Sequence, residues 1–351
     1  MTTMYIAMEM DDELLIARGR DGVWQTDTQL VGLSPRCLAI DPLHPERVYC
    51  GTDGHTLWRS ADAGSSWSVA GEGIDHPNVT AVAVSPHERA GECGVLYAGT
   101  EPSALFRSED GGGTWRELRR MRSLPSAPTW SFPPRPQTNH VRWITPDVAD
   151  AGTLYVCIEA GALVRSVDGG DTWMDRVPDG PMDTHTLMMH PRTPGRLYAA
   201  AGDGSMRPGR GYNESRDGGR TWERPDEGLA HHYLWSVAVD PGDADTIVVS
   251  AAHSPSAAHD PRHAESTVYR RSGRTPWQQV RDGLPETRGT TIAVLAANQS
   301  EPGVFYAASN RGLYRSADAG ITWEQLDVEW PERYHNQRVG ALVVTDDGGR
   351  H

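Results

Sequence analysis

Ser166-Val167-Asp168-Gly169-Gly170-Asp171-Thr172-Trp173 is the stretch whose reading decides the fold. Written S-x-D-x-G-x-T-W, it recurs at 60–67 (with Ser66 for the Thr), 108–115, 215–222 and 316–323. Five copies of an eight-residue pattern define an internal repeat, and a repeat of this length marks stacked supersecondary units rather than one irregular core.

The residue types suit a tight turn between antiparallel strands. Asp accepts hydrogen bonds from backbone N–H groups a few residues onward. Gly takes a left-handed backbone position without strain, and the Ser and Thr hydroxyls satisfy further turn groups. Trp opens the next strand with a large flat face. This Asp is expected to be structural, not a catalytic acid.

The box Trp residues stand at 67, 115, 173, 222 and 323, and the last gap is about twice the others. A worn copy without the Asp, Arg271-Ser-Gly-Arg-Thr-Pro-Trp277, fills it, and Arg20-Asp21-Gly22-Val23-Trp24 is another near the start. Seven Trp positions result, spaced 43, 48, 58, 49, 55 and 46 residues, the length of a four-stranded blade. The strands are legible within each repeat, as in 79–84, 95–100, 104–108 and 114–118. The N-terminus begins mid-blade, and its missing inner strand is found at 339–345. Closing the ring with strands from both ends removes exposed edges. The expectation is one all-β domain, a seven-bladed β-propeller. Its blades are placed at 4–28 with 338–346, 36–70, 78–119, 140–177, 185–225, 234–281 and 290–327.

On these residues the pattern resembles the Asp-box, or BNR repeat, of sialidases, xyloglucanase-type glycoside hydrolases, sortilin-type receptor domains and photosystem II assembly factors. The resemblance implies a propeller blade and no particular activity. It also implies that the box lies between the third and fourth strands, on the face away from any ligand site. A sialidase would need three arginines gripping a carboxylate; Arg36 is one member, while Arg142, Arg288 and Arg338 are candidates without an alignment. That activity is therefore not expected. A xyloglucanase would need two propellers with a cleft between them, and this chain holds one. A glycosidase using two carboxylates stays open.

Composition narrows the partners. The 351 residues carry a formal net charge of −14, which argues against nucleic acid and anionic membranes. The four cysteines, at 37, 50, 93 and 157, show no C-x-x-C spacing, so neither a zinc nor a redox site is expected from them. Cys37, Cys50 and Cys157 read as buried apolar residues. Residues 1–12 lack a basic n-region and an apolar run, and no stretch approaches the roughly 20 apolar residues of a membrane span. A cytoplasmic location is the expectation.

Three insertions, at 119–139, 203–213 and 253–266, break the period and should emerge at the rim opposite the boxes. Stacking the repeats brings two columns to that rim. Second strands end in Glu9, Asp53, Glu101 and Glu159; inner strands start with Arg36, Thr80, His140, His185 and Trp235. Neighbouring loops add His232, Tyr233 and His335. The first reading is an enzyme, a hydrolase or lyase acting on a small polar substrate such as a saccharide. His140 and His185, with Glu101 and Glu159, would carry acid/base chemistry. Arg36, Asp53, Glu9, His232, Tyr233, Trp235 and His335 would bind. A divalent metal on His140, His185 and Glu159 is the cofactor left open. The alternative is a non-catalytic module docking a protein or glycan on its top-face loops. Paired groups with perturbed protonation in a concave pocket would favour the enzyme. A flat top exposing Trp130, Trp143 and Trp235 would favour the module.

Overall fold

The computed structural model describes residues 3–346, which form seven antiparallel sheets arranged as a seven-bladed β-propeller. In blade four, Val141–Pro146, Leu154–Ile158 and Ala162–Ser166 pair in that order from the axis outward. Blade six, Tyr233–Val239, Thr246–Ala252, Ser266–Ser272 and Gln278–Val280, shows the full four strands. Its inner strand is buried along its whole length, because one face meets each neighbouring blade. The ring closes in a shared blade, where Leu342–Asp346 pairs with Met4–Met10, with Met8 opposite Leu342 and Met4 opposite Asp346. The apolar core is divided among seven clusters lying between successive blades, such as the one joining Tyr97 and Leu105 to Val141 and Val156. Cys37, Cys50 and Cys157 are buried free thiols within the sheets.

The eight-residue turns share one set of bonds. In each, the Ser hydroxyl meets the Asp Oδ1 at 2.7–2.9 Å. The Thr (or Ser66) hydroxyl donates to the Asp Oδ2 at 2.5–2.7 Å. Its backbone N–H donates to Oδ1, and the Gly N–H donates to the Ser Oγ. Two successive left-handed residues make this possible: Gly169 at φ 71° and Gly170 at φ 90°, with Ala63 and Ala319 accepting the strained first position elsewhere. These bonds hold the Asp168 carboxyl below its ordinary range, the Thr172 hydroxyl contributing most, and Asp62 at about 2. Such an acid is fully charged and fully occupied. At the worn copy 20–24 the turn is instead a two-residue Asp21-Gly22 hairpin with both φ values positive, pairing Arg20 with Val23.

A second repeat ties four of the five turns to the blade before them. Tyr on the second strand faces Arg on the third in five blades: Tyr5–Arg18, Tyr49–Arg59, Tyr97–Arg107, Tyr155–Arg165 and Tyr306–Arg315. Arg18 donates to Ala63 O of the next blade's turn at 2.7 Å, Arg59 to Gly111 O at 3.0 Å, and Arg165 to Gly218 O at 2.7 Å. Arg270 reaches Ala319 O at 2.6 Å in the same way. Elsewhere the arrangement changes: Arg107 turns to Glu88, Glu109 and Tyr97 although the next turn keeps its box. Opposite Tyr198 stands Glu214, which binds the buried Arg271 of blade six, and Arg271 lies over Tyr212 and Trp277. Arg315, facing blade one, turns to Glu301 and Tyr306 instead.

Register places the turns and the candidate residues on opposite rims. Pro146, Leu154 and Ser166 stand abreast at one end of blade four, next to the box; Val141, Ile158 and Ala162 stand abreast at the other, next to His140 and Glu159. The three insertions leave from that second rim. They form two 3-10 turns, Arg119–Ser123 and Ala127–Thr129, a third at Gly202–Ser205, and the short helix Pro255–His259.

Candidate functional site

Residues from blades one, two, three, four and six line one cavity of about 80 Å³, including Glu9, Arg36, Thr80, His140, Arg142, Glu159, Trp235 and Arg338. Five blades can share a cavity only at the ring axis. His140 immediately precedes the inner strand Val141–Pro146, and Arg142 is the extra residue where its register shifts between Val141 and Trp143; both side chains line the cavity. Phe132 and Arg135, from the 119–139 insertion, complete the wall.

Glu159 is the hub. Its Oε2 meets His140 Nε2 at 2.8 Å and Arg142 Nε at 3.7 Å, while its Oε1 lies 4.0 Å from His185 Nε2. Burial alone would raise this carboxyl, but the His140 hydrogen bond and the surrounding cations hold it well below the usual range. With Nε2 committed to Glu159, His140 Nδ1 is buried and has no hydrogen bond among the described residues; Glu101 Oε2 is 3.9 Å away and is taken by Arg135 at 2.6 Å. Phe132 packs edge-on against the His140 ring at 4.8 Å.

Glu9 behaves oppositely. It is 4% exposed, and burial pushes its carboxyl up to about 8 even though Arg338, Arg36 and Arg142 pull it down. Burial thus favours its protonated form, whereas the partners of Glu159 favour the charged one. Arg142 lies 4.3 Å from the centroid of the Trp235 ring, and its burial lowers its own affinity for a proton. Among the described residues, neither the Arg36 nor the Arg338 guanidinium has a carboxylate oxygen within 4.0 Å or a hydrogen-bond acceptor. An acidic chain has thus gathered unpaired cations at its axis.

Behind this wall, His185 is 1% exposed and stacks between Trp235 at 4.5 Å and Tyr233 at 5.1 Å. Its Nδ1 lies 2.6 Å from Leu234 O. Tyr233 is buried, its hydroxyl meeting His259 Nε2 at 2.9 Å; burial raises the phenol well above its ordinary value and lowers His259 to about 3. Burial also raises Asp183, whose Oδ1 accepts the Ala160 N–H at 2.9 Å and stands 3.7 Å from His185 Nε2.

Of the residues singled out in the sequence, the structure brings Glu9, Arg36, His140, Glu159 and Trp235 to the cavity, with Glu101, His185 and Tyr233 directly behind it. It does not bring Asp53, His232 or His335. Asp53 is exposed and fixed through its backbone N–H to Ser34 O. His335 is exposed on the 3-10 turn Glu332–Asn336, which points its ring outward. His232 has its carbonyl packed against Gly204 and Gly211, away from the axis. The metal-compatible set also changes: Asp183 joins Glu159 and His185, while His140 is committed to its hydrogen bond with Glu159. Sequence reasoning named Arg142 and Arg338 only as unaligned candidates for a carboxylate grip, and it missed Asp183 and His259 as site residues. Arg338 lies just ahead of blade one's inner strand, so completing the column would have placed it. Trp130 and Trp235 are buried and Trp143 is half-buried, so the top is not a flat aromatic face.

No family model and no curated protein sequence matches the chain. Solved structures do. The chain is similar to a GH74 enzyme of Niastella koreensis, at a TM-score of 0.64 and 17% identity over 92% of this chain and 55% of that one. An ancestral GH74 enzyme matches at 0.64 and 17%, over 85% and 39%. YCF48 bound to a D1 peptide matches at 0.60 and 17%, over 89% of this chain and 92% of that one. The chain therefore spans about half or less of the GH74 enzymes and nearly all of YCF48. At these identities the likeness is one of fold. Among the described residues no helix is long and apolar enough to cross a membrane.

Proposed function

We propose that the axial pocket binds a small carboxylate-bearing substrate, an acidic sugar being one such, and performs acid/base chemistry on it as a hydrolase or lyase. The observation that carries this is one cavity holding two glutamates shifted in opposite directions beside guanidinium groups that, among the described residues, have no carboxylate oxygen within 4.0 Å. Arg36 and Arg338, with Arg142 fixed over Trp235, grip the substrate carboxylate. Glu9 donates the proton, and His140, oriented by Glu159, accepts one at Nδ1. The eight-residue turns, read as Asp-boxes, hold the opposite rim and take no part. The glycoside-hydrolase likeness supports this reading through the fold only.

The test uses calorimetry with glucuronate, sialic acid and glucose, and 4-nitrophenyl glucuronide and 4-methylumbelliferyl sialoside as reporters of cleavage. Saturable binding of the acidic sugars and not of glucose is expected, weakened roughly 10–100-fold by Arg36→Ala or Arg338→Ala. Glu9→Gln should abolish cleavage while leaving binding. Equal binding of glucose, or no effect of the arginine variants, overturns the carboxylate grip. The second reading, a module that binds a peptide, is favoured by the near full-length likeness to YCF48, whose structure holds a peptide. Binding of carboxylates without cleavage of any reporter would move the assignment there.

A further inference from the structure

The geometry points to a divalent-cation site formed by Glu159, Asp183 and His185, at the back of the axial pocket, for a first-row ion such as Zn2+ or Mn2+. The three ligand atoms lie within 4.8 Å of one another. His185 is 1% exposed, and its Nδ1, 2.6 Å from Leu234 O, must be the protonated nitrogen, because a carbonyl only accepts. That leaves the Nε2 lone pair facing Asp183 Oδ1 at 3.7 Å and Glu159 Oε1 at 4.0 Å, beyond hydrogen-bond reach of either. A buried imidazole whose outer N–H is fixed by a carbonyl, with its free nitrogen between two carboxylates, is the arrangement of a ligand His and its supporting shell.

The carboxylates are prepared in the same sense. Glu159 divides its oxygens: Oε2 is held by His140 and approached by Arg142, and Oε1 is left for the ion. Asp183 is anchored by the Ala160 N–H, and its backbone N–H and that of Met182 are both held by Asp203 Oδ2. Ion–ligand bonds of about 2.0–2.2 Å put neighbouring ligand atoms roughly 3–3.5 Å apart, so the trio, all within 4.8 Å of one another, needs to contract by at most about 2 Å. One neutral nitrogen and two oxygens favour a borderline ion over Ca2+ or Mg2+, which prefer all-oxygen shells.

This site does not depend on the arginine grip, and its test separates the two. Untagged full-length protein is loaded with Zn2+ or Mn2+, desalted, and measured for metal content and for thermal stability with and without EDTA. About one ion per chain is expected, with a melting temperature that falls on chelation. Asp183→Asn keeps the anchoring acceptor and His185→Gln keeps a donor toward Leu234 O. Each should weaken binding on the order of 10–100-fold or more. Arg36→Ala and Arg338→Ala should retain the ion. A content far below one ion per chain for both metals, or equal retention by Asp183→Asn and His185→Gln, overturns the site. Unchanged circular dichroism in the variants keeps either result interpretable.

Discussion

At the lower rim the Ser, Asp and Thr groups of the turns answer to one another, whereas at the upper rim several charged groups answer, among the described residues, to nothing within hydrogen-bond reach. The five turns there close on themselves, and four arginines from preceding blades reach into them. Among the described residues the upper rim holds Arg36 and Arg338 with no carboxylate oxygen within 4.0 Å, His140 Nδ1 without a partner, and Glu9 whose protonated form is favoured by burial. The residue types are similar: Arg, Asp or Glu, an aromatic ring. The difference is satisfaction. Groups that satisfy each other stabilise a fold; groups held in place and left wanting prepare a site.

Substitutions can break this contrast, in order of expected cost to stability. Arg271→Ala should cost most, about 3 kcal/mol by thermal or urea unfolding, since it takes the buried cation from Glu214 and leaves it only the half-exposed Arg216 and the Tyr212 hydroxyl. A cost under about 1 kcal/mol would show that the lower rim tolerates unpaired charge. Glu9→Gln comes next, through pH. The folded carboxyl titrates near 8 while the unfolded one titrates near 4.5, so the fold binds the extra proton between those values. Stability contributed by the protonated form is complete below about 4.5 and declines as pH rises through 8. The variant should match the parent at pH 4.5 and exceed it at pH 8.5 by on the order of a few kcal/mol. Identical pH profiles would remove Glu9 as the proton reservoir.

Asp168→Ala should cost about 1–3 kcal/mol, because Ser166 and Thr172 lose their shared acceptor. It should leave sugar binding untouched, which calorimetry checks. Smallest of all on stability is the pair Arg36→Ala and Arg338→Ala, expected within about 0.5 kcal/mol of the parent. Together they should have the largest effect on carboxylate affinity. If they instead unfold the protein, the upper rim is architecture and the contrast fails.

The ring was legible because it is written in spacing. Trp intervals and the S-x-D-x-G-x-T-W pattern gave seven sheets, and 339–345 gave the closing strand, seen as Leu342–Asp346. The worn copies were located, but what replaced their boxes was not: Asp21-Gly22 became a two-residue hairpin, and Arg271 became the partner of Glu214. The arginine braces were invisible because donor and acceptor lie about one blade apart, in different repeats. In the pocket, columns found His140, Glu159 and Glu9. They passed over Arg338, because blade one draws its inner strand from the far end of the chain. Asp183 stands just ahead of the strand Thr184–Met189, and His259 sits on an insertion helix with no counterpart in other blades. No period can report such residues.

Glu9 and Arg338 face the same cavity from near the two extremes of the polypeptide. Until the strand Leu342–Asp346 docks beside Met4–Met10, the arginine just ahead of it is not held opposite the glutamate, and the grip is only half made. Ligand affinity therefore becomes a readout of completed assembly. Whatever occupies the axis also latches the two ends together, and a sample rich in ligand should resist opening at that seam before any other.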